Sequence, residues 1–283
     1  MIDLHVHSHK SDGTCSPAGL VSLALEKGLT AFALTDHDTA DGLDEAIRAA
    51  KGQPVTVIPG IEFSTCYQQH DIHVLGLAID YKAPVFLSAL AGFVASREQR
   101  NQRMCQKIQA YAHIDITYDK LKETFPGSVI TRAHYARYLL EQGCVSDMPE
   151  AFRRYLGEQA PCFVPREKVT PIQAVRLIRD AGGVPVLAHP PLYGMSETEL
   201  DHLTAALARE GLAGIEALYS TYTPGEEMHM KSLARQYGLL ITGGSDFHGS
   251  NKPDIELGTG KGSLHVPDHI LDDLYAFQNK NRQ

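Results

Sequence analysis

Apolar, β-branched segments recur along the chain at 2–6, 31–35, 54–58, 72–78, 184–188, 213–217 and 239–243, each of strand length and bounded by turn-forming residues. Most of the intervals carry apolar residues at spacings of three and four, the period of a helix that buries one face. The first interval is the best punctuated. Ser16 stands where an N-cap accepts from free amides, Pro17 takes the first helical position, Leu20, Leu23 and Ala24 share a face, and Gly28 marks the stop. Helices are expected in the same way at 41–50, 170–181, 196–210, 225–237 and 267–278. Strands that alternate with helices specify a parallel sheet. Seven such strands predict an α/β fold that closes as an incomplete or distorted barrel instead of an open doubly wound sheet. No Gly-x-Gly-x-x-Gly or Walker-type loop follows any strand, which removes the main dinucleotide and nucleoside-triphosphate alternatives.

The alternation stops between the fourth and fifth strands, where residues 80–165 read as helices without a strand. This predicts a barrel built from 1–79 and 166–283, with 80–165 as a helical insertion that caps the substrate site. The longest insertion helix, at 84–111, carries a stripe of Leu87, Leu90, Val94, Arg97, Asn101, Met104, Ile108 and Tyr111. Its two middle members are polar, and a buried face that breaks its own pattern commonly does so to serve a site. A second insertion helix is expected after Thr131 as N-cap, with Arg132 and His134 in its first turn, where free amides and a guanidinium together favour an anion.

Length and composition narrow the class. At 283 residues the chain suits one barrel domain with an insertion, and 43% hydrophobic with 21% charged residues is ordinary for a globular protein. No apolar run reaches the ~20 residues of a membrane helix. The motif at residue 3 leaves no room for a secretory leader, so a cytoplasmic location is expected. Cys15, Cys66, Cys105, Cys144 and Cys162 are odd in number and widely spaced, which fits neither a disulfide framework nor a thiolate zinc site. A net charge of -8 disfavours duplex nucleic acid, and nothing marks an obligatory protein partner.

The chemistry lies at the strand ends. Asp3, His5 and His7 mark the first strand, where His5 and His7 project from one face, and Asp12 follows. Asp36, His37 and Asp38 follow the second strand, Glu62 the third, and His73 opens the fourth. His189 follows the fifth, and Asp246 and His248 follow the seventh. In a barrel of parallel strands those ends converge on the face where catalytic loops gather. Imidazole and carboxylate without thiolate suit zinc, manganese or iron(II), and about nine ligands are too many for one ion, which takes four to six. Two or three divalent ions are therefore expected.

The motifs Asp3-Leu4-His5-Val6-His7, Thr35-Asp36-His37-Asp38, Pro59-Gly60-Ile61-Glu62, His73, Ala188-His189-Pro190 and Ser245-Asp246-Phe247-His248 resemble, in order and nearly end to end, those of the PHP (polymerase and histidinol phosphatase) superfamily. The resemblance implies a distorted (β/α)7 barrel with a trinuclear metal centre. Its ligands would be His5, His7, Asp12, His37, Glu62, His73, His189, Asp246 and His248, with manganese first among the candidate metals and His9 not a ligand. Asp36, Asp38 and Glu216 would orient imidazoles through their free ring nitrogens. The small bacterial nucleoside-phosphate phosphoesterases look most similar, since they also carry an Arg-rich helix and an Arg-x-His, here Arg132 and His134. The implied activity is hydrolysis of phosphate monoesters of nucleotides, monophosphates or 3',5'-bisphosphates, by a hydroxide held between two ions, with Glu62, Asp246 and His189 as catalytic candidates. Arg100, Asn101, Arg132, His134 and Arg166 are the expected substrate contacts. A 5'-3' exonuclease on short RNA and a histidinol-phosphate phosphatase share this metal set. An amidohydrolase-type hydrolase of carbon–nitrogen bonds is more distant, because no strand here ends in Lys. A module that kept only the fold would be expected to lack several ligands.

Overall fold

A computed structural model describes residues 1–68, 70–165 and 170–281. Its seven strands form one sheet in sequence order: β1 (Ile2–Val6), β2 (Ala31–Leu34), β3 (Thr56–Tyr67), β4 (His70–Leu77), β5 (Val184–Leu187), β6 (Gly214–Tyr219) and β7 (Leu240–Gly244). The chain after β7 returns to β1. The amide of His7 donates to the Phe247 carbonyl at 3.0 Å and that of Asp246 to the His5 carbonyl at 2.9 Å. The buried Asp3 carboxylate accepts from the Ser245 amide at 2.8 Å, the Ser245 hydroxyl at 2.5 Å and the Gly258 amide at 2.8 Å, and so completes the closure. The result is an almost closed barrel.

Helices α1 (Pro17–Glu26) and α2 (Leu43–Ala50) follow β1 and β2. Between β4 and β5 lie α3 (Pro84–Ala112), α4 (Tyr118–Thr124), α5 (Arg132–Glu141) and α6 (Met148–Ala151). Then come α7 (Pro171–Asp180), α8 (Glu197–Arg209), α9 (Pro224–Tyr237) and α10 (His269–Asn281). Ser16 caps α1 by accepting from the Gly19 amide at 2.9 Å, and Pro17 occupies the first helical position, as its sequence signal predicts. No helix among the described residues is long and apolar enough to cross a membrane.

The sheet is not wholly parallel. β3 pairs antiparallel with β4, and β4 antiparallel with β5, so the expected strand–helix alternation fails at the third interval. Pro59 and Gly60 read as punctuation that ends a strand, yet β3 continues through them to Tyr67. Gly60 is required there: a Cβ would lie 2.8 Å from Thr35 Cγ2 and 3.0 Å from the Leu34 carbonyl oxygen. With β4 beginning three residues after β3 ends, only an antiparallel return is possible. Glu62 thus lies inside β3 and His73 four residues into β4, but reversal of β4 brings its early residues to the same barrel mouth as the C-terminal ends of the parallel strands.

That reversal also decides the course of α3. β4 runs down the barrel, so α3 starts at the bottom, and its 29 residues extend about 44 Å at 1.5 Å per residue. Its lower part packs Phe86, Leu90 and Phe93 into the outer core formed with α7, α8 and α9. Its upper part packs Met104, Cys105 and Ile108 into a separate core with Leu121, Tyr135, Leu139 and Leu156. The polar step at Arg97, Arg100 and Asn101 falls between the two cores. The buried face is rotated from the expected stripe, leaving Leu87 49% and Tyr111 61% exposed. The first turns of α3 share a core with the barrel strands and helices.

Candidate metal centre

Local backbone geometry aims the ligands. In β1, Asp3 pairs with Phe32 and Val6 with Leu34, so Leu4 and His5 together oppose the single residue Ala33. This bulge re-aims the strand. Asp3 therefore does not share the site of His5 and His7 but serves barrel closure, whereas His5 and His7 enter the mouth with their Nε2 atoms 3.1 Å apart. Asp38, His189 and Asp246 adopt left-handed backbone conformations, with φ of 51°, 32° and 57°, at the sharp turns that leave β2, β5 and β7. Non-glycine residues in that region concentrate at functional sites.

Glu62 is the hub. Its Oε1 lies 2.8 Å from His73 Nδ1 and 3.1 Å from His189 Nε2. Its Oε2 lies 3.2 Å from His5 Nε2 and 3.1 Å from both His7 Nε2 and His37 Nδ1. Asp246 Oδ1 stands 3.5 Å from His5 Nε2, 3.4 Å from His7 Nε2 and 3.3 Å from His248 Nδ1. Asp12 Oδ1 is 3.2 Å from His248 Nε2. Four overlapping groups have ligand atoms within 4.8 Å of one another: His7, Asp12, His37 and His248; His5, Glu62 and His189; His5, His7 and Asp246; and His37, Glu62 and His73. All nine residues named from the resemblance thus meet in one place, while His9 contributes its carbonyl to the Ser128 hydroxyl at 2.6 Å.

The cluster has the electrostatics of a cation site. Burial opposes charge on His5, but Glu216, Glu62 and Asp246 outweigh it and hold the imidazole well above its ordinary range. Burial is likewise overcome at His7, which Asp246 and Glu62 raise to about 9. Glu62 itself, despite burial, is held well below the usual carboxylate range by His37, His5 and His73. Burial wins at His37, which it lowers to about 3, and at His248, also lowered, so the excess negative charge is concentrated around His5 and His7. Divalent ions would relieve that excess, and the borderline-hard donor set suits them. His189 Nδ1 is buried without a hydrogen-bond partner, as an atom reserved for a ligand would be. The residues fit a multinuclear metal centre.

Of the three carboxylates expected to orient imidazoles, Glu216 does so at His5, whereas Asp36 and Asp38 bond serine and arginine donors instead. Glu216 Oε1 is 3.1 Å from His5 Nδ1, and its Oε2 accepts from the His189 amide at 2.8 Å. Asp36 accepts from the Ser8 amide at 2.8 Å and from the Ser8 and Ser11 hydroxyls at 2.6 Å each, which fixes the loop carrying Asp12. Asp38 does not contact an imidazole; it receives Arg97 Nε at 2.7 Å, and Arg97 Nη2 also reaches Ser64 Oγ at 2.8 Å. Two residues escaped the sequence reading: Tyr219 and Lys252 donate to Asp246 Oδ2, each at 2.5 Å. Neither lies in a His–carboxylate motif, although Lys252 follows Asp246 by six residues on the same loop.

A cavity of about 1120 Å³ opens over the centre and reaches Asp12, His37, Glu62, His73, His189, Asp246 and His248 at its floor. Its insertion wall includes Arg97, Arg100 and Arg132, whereas Asn101 and His134 are not among its lining. Asn101 is turned away by its bond from Nδ2 to the Ile130 carbonyl at 2.8 Å. His134 is used locally, its Nδ1 accepting from the Thr131 amide at 3.0 Å and its ring packing 4.6 Å from that of Phe125. Arg166 lies outside the described residues. Arg132 is ion-paired with Asp71, which the two-residue period of β4 places on the face of His73.

Comparison with known proteins agrees with this geometry. A family model described as "PHP domain" matches residues 3–169. The chain is 36% identical over 258 residues to the 5'-3' exoribonuclease Rnm of Escherichia coli (strain K12), covering 90% of this chain and 87% of that protein. It is 33% identical to the 3',5'-nucleoside bisphosphate phosphatase of Chromobacterium violaceum, covering 91% and 90%. A solved structure described as a metal-dependent phosphoesterase from Bifidobacterium adolescentis superposes with a TM-score of 0.85 at 28% identity, covering 97% of this chain and 95% of that one. Barrel, ligand cluster and these likenesses converge: the chain belongs to the PHP domain family and is a metal-dependent phosphoesterase.

Proposed function

We propose that this phosphoesterase hydrolyses a phosphate ester of nucleotides that carry a second phosphate, with nucleoside 3',5'-bisphosphates as the substrate class. The observation that carries the reading is Arg100. Its guanidinium is buried in the cavity wall, its Nε has no hydrogen-bond partner, and burial together with the like charges of Arg97 and Arg132 lowers it to about 9. Arg97 gives Nε and Nη2 to Asp38 and Ser64, and Arg132 pairs with Asp71 through Nη2, whereas Arg100 keeps a buried Nε donor that an anion would complete. A buried, under-satisfied guanidinium is costly unless a ligand anion completes it.

The scissile phosphate would sit over Glu62, His189 and Asp246, and the second against Arg100 and Arg132. His5, His7, Asp12, His37, Glu62, His73, His189, Asp246 and His248 would hold two or three divalent ions, with manganese preferred and iron(II) or zinc as alternatives. Bound there, the ions supply a water of lowered pKa and neutralise charge on the phosphate oxygens. Glu62, central to five imidazoles, fixes the spacing of those groups. Lys252 and Tyr219 hold Asp246 Oδ2, leaving Oδ1 toward His5, His7 and His248. Helices α3 to α6 act as the substrate cap. A second reading, cleavage from the 5' end of short RNA, is supported by a cavity of about 1120 Å³, at the upper end of the ~300–1,000 Å³ of small-molecule sites, whose lining also includes Arg137 and Arg153.

The deciding experiment compares kcat/KM of manganese-loaded protein for a nucleoside 3',5'-bisphosphate, the matching monophosphate and a short 5'-phosphorylated RNA. Preference for the bisphosphate over the monophosphate by ~10-fold or more, erased by Arg100→Met, is expected. Equal turnover of the two, unaffected by that substitution, refutes the second-phosphate site, and faster turnover of RNA selects the exonuclease reading.

A further inference from the structure

Directly after α6 the chain makes a π-helical turn, Phe152–Leu156, closed by the Gly157 amide donating to the Phe152 carbonyl at 2.8 Å. π-helical turns are rare, distort the regular ladder and recur at functional sites. This one stands in the cavity wall, and Met148, Pro149, Phe152 and Arg153 from this short segment all line the cavity. Phe152 is only half-buried, although it packs against the insertion core. The Arg132 guanidinium carbon lies 6.0 Å from the Phe152 ring centroid and 5.5 Å from that of Phe163.

We propose that Phe152 is the stacking platform for the nucleobase of the substrate, and that it holds the base with little discrimination among the four. The inference rests on the nucleotide reading above and deepens it by naming what grips the base. An aromatic face beside a phosphate-facing guanidinium is the arrangement that binds nucleotides independently of sequence, since every base offers a π-face. Three polar side chains that line the cavity together with Phe152 are already engaged. Ser146 donates through amide and hydroxyl to Glu150 Oε2, each at 2.7 Å. Asp147 accepts from the Glu150 amide at 2.6 Å, and Glu141 accepts from Arg137 Nε at 2.8 Å. A base edge that meets these three groups competes with bonds already made, which weakens discrimination by hydrogen bonding.

The test uses full-length, manganese-loaded protein with the four nucleoside 3',5'-bisphosphates and an abasic analogue, 1-deoxyribose 3',5'-bisphosphate. The wild type should favour base-bearing substrates over the abasic one in kcat/KM by roughly 5- to 150-fold, the range spanned by stacking of one base on an aromatic ring. The four bases should agree within about 5-fold. Phe152→Ala and Phe152→Leu should both erase the preference through KM while leaving turnover of the abasic analogue within about 2-fold, and Phe152→Tyr should retain it. Leu keeps apolar bulk without a π-face, so it separates stacking from packing. An equal loss on abasic and base-bearing substrates would show that Phe152 only supports the wall and overturns the platform. Wild-type protein that hydrolyses both with the same kcat/KM overturns the platform alone, with the bisphosphate reading intact. Wild-type protein that hydrolyses no bisphosphate overturns that reading and the platform with it.

Discussion

Arg97 offers the sharpest perturbation of the joint between insertion and barrel. Its side chain leaves the middle of α3, crosses to the barrel mouth and places Nε 2.7 Å from Asp38 Oδ2 and Nη2 2.8 Å from Ser64 Oγ. Arg97 is 3% exposed and Asp38 0%, so solvent screens the pair very little. Arg97→Met keeps the length of the side chain and deletes its charge, so the buried Asp38 carboxylate loses its guanidinium while keeping the Ser64 amide at 3.3 Å. Breaking a buried pair from one side costs about 3–5 kcal/mol, against a total stability of ~5–15 kcal/mol for a domain. Arg97→Met with Asp38→Asn removes the buried negative charge as well and should come back to within ~2 kcal/mol of wild type, since a buried pair is worth little against neutral replacements. The chain has no tryptophan, so urea unfolding is followed by far-UV circular dichroism. A single variant that loses less than about 1 kcal/mol, or a double variant no more stable than the single, would refute the reasoning.

Two further expectations concern the centre and its cover. Glu62→Ala should reduce turnover at least ~1000-fold and lower the metal content, expected to be two to three equivalents by elemental analysis, by at least one; retention of a tenth of the activity would remove Glu62 from its central role. Burial, followed by the repulsion of Arg97 and Arg137, lowers His134 to about 4 against the attraction of Asp12. Because the folded value lies below the unfolded ~6.5, the fold is favoured by the neutral ring, fully so above pH 6.5, and loses that contribution as pH falls toward 4, by at most ~3 kcal/mol. His134→Gln keeps a capping acceptor and should flatten this acid limb in a thermal melt series; an unchanged slope counts against the assignment.

Much of the site was legible because metal ligands come as short motifs at strand ends, and a strand end is what periodicity locates. His5 and His7 were readable as a pair, but Asp3 was not separable from them, since the bulge at Leu4 and His5 is set by pairing with β2. The β3–β4 hairpin stayed hidden behind Pro59-Gly60, where the usual meaning of the dipeptide was overridden by an approach to β2 that only glycine permits. Asn101 and Arg100 are neighbours on α3, and which one faces the cavity depends on about 100° of rotation that a long helix with two partners settles late. Arg97 was visible as a polar break in an apolar stripe, yet its partner, Asp38, could not be named from sequence spacing alone. Tyr219 and Lys252 gave no signal, being single residues whose value comes from standing beside Asp246.

The course of α3 makes its length a ruler. Its lower turns are fixed by Phe86, Leu90 and Phe93 in the barrel core, and everything above them, Arg100 included, is carried at a height counted in residues. One residue inserted between Leu90 and Arg97 would lift the upper part by about 1.5 Å and swing it by about 100°, while removing four would nearly restore the bearing but lower it by about 6 Å. Pocket depth over the metal centre can thus be tuned in steps by whole turns of one helix, a kind of adjustment that a cap hung on flexible loops does not offer.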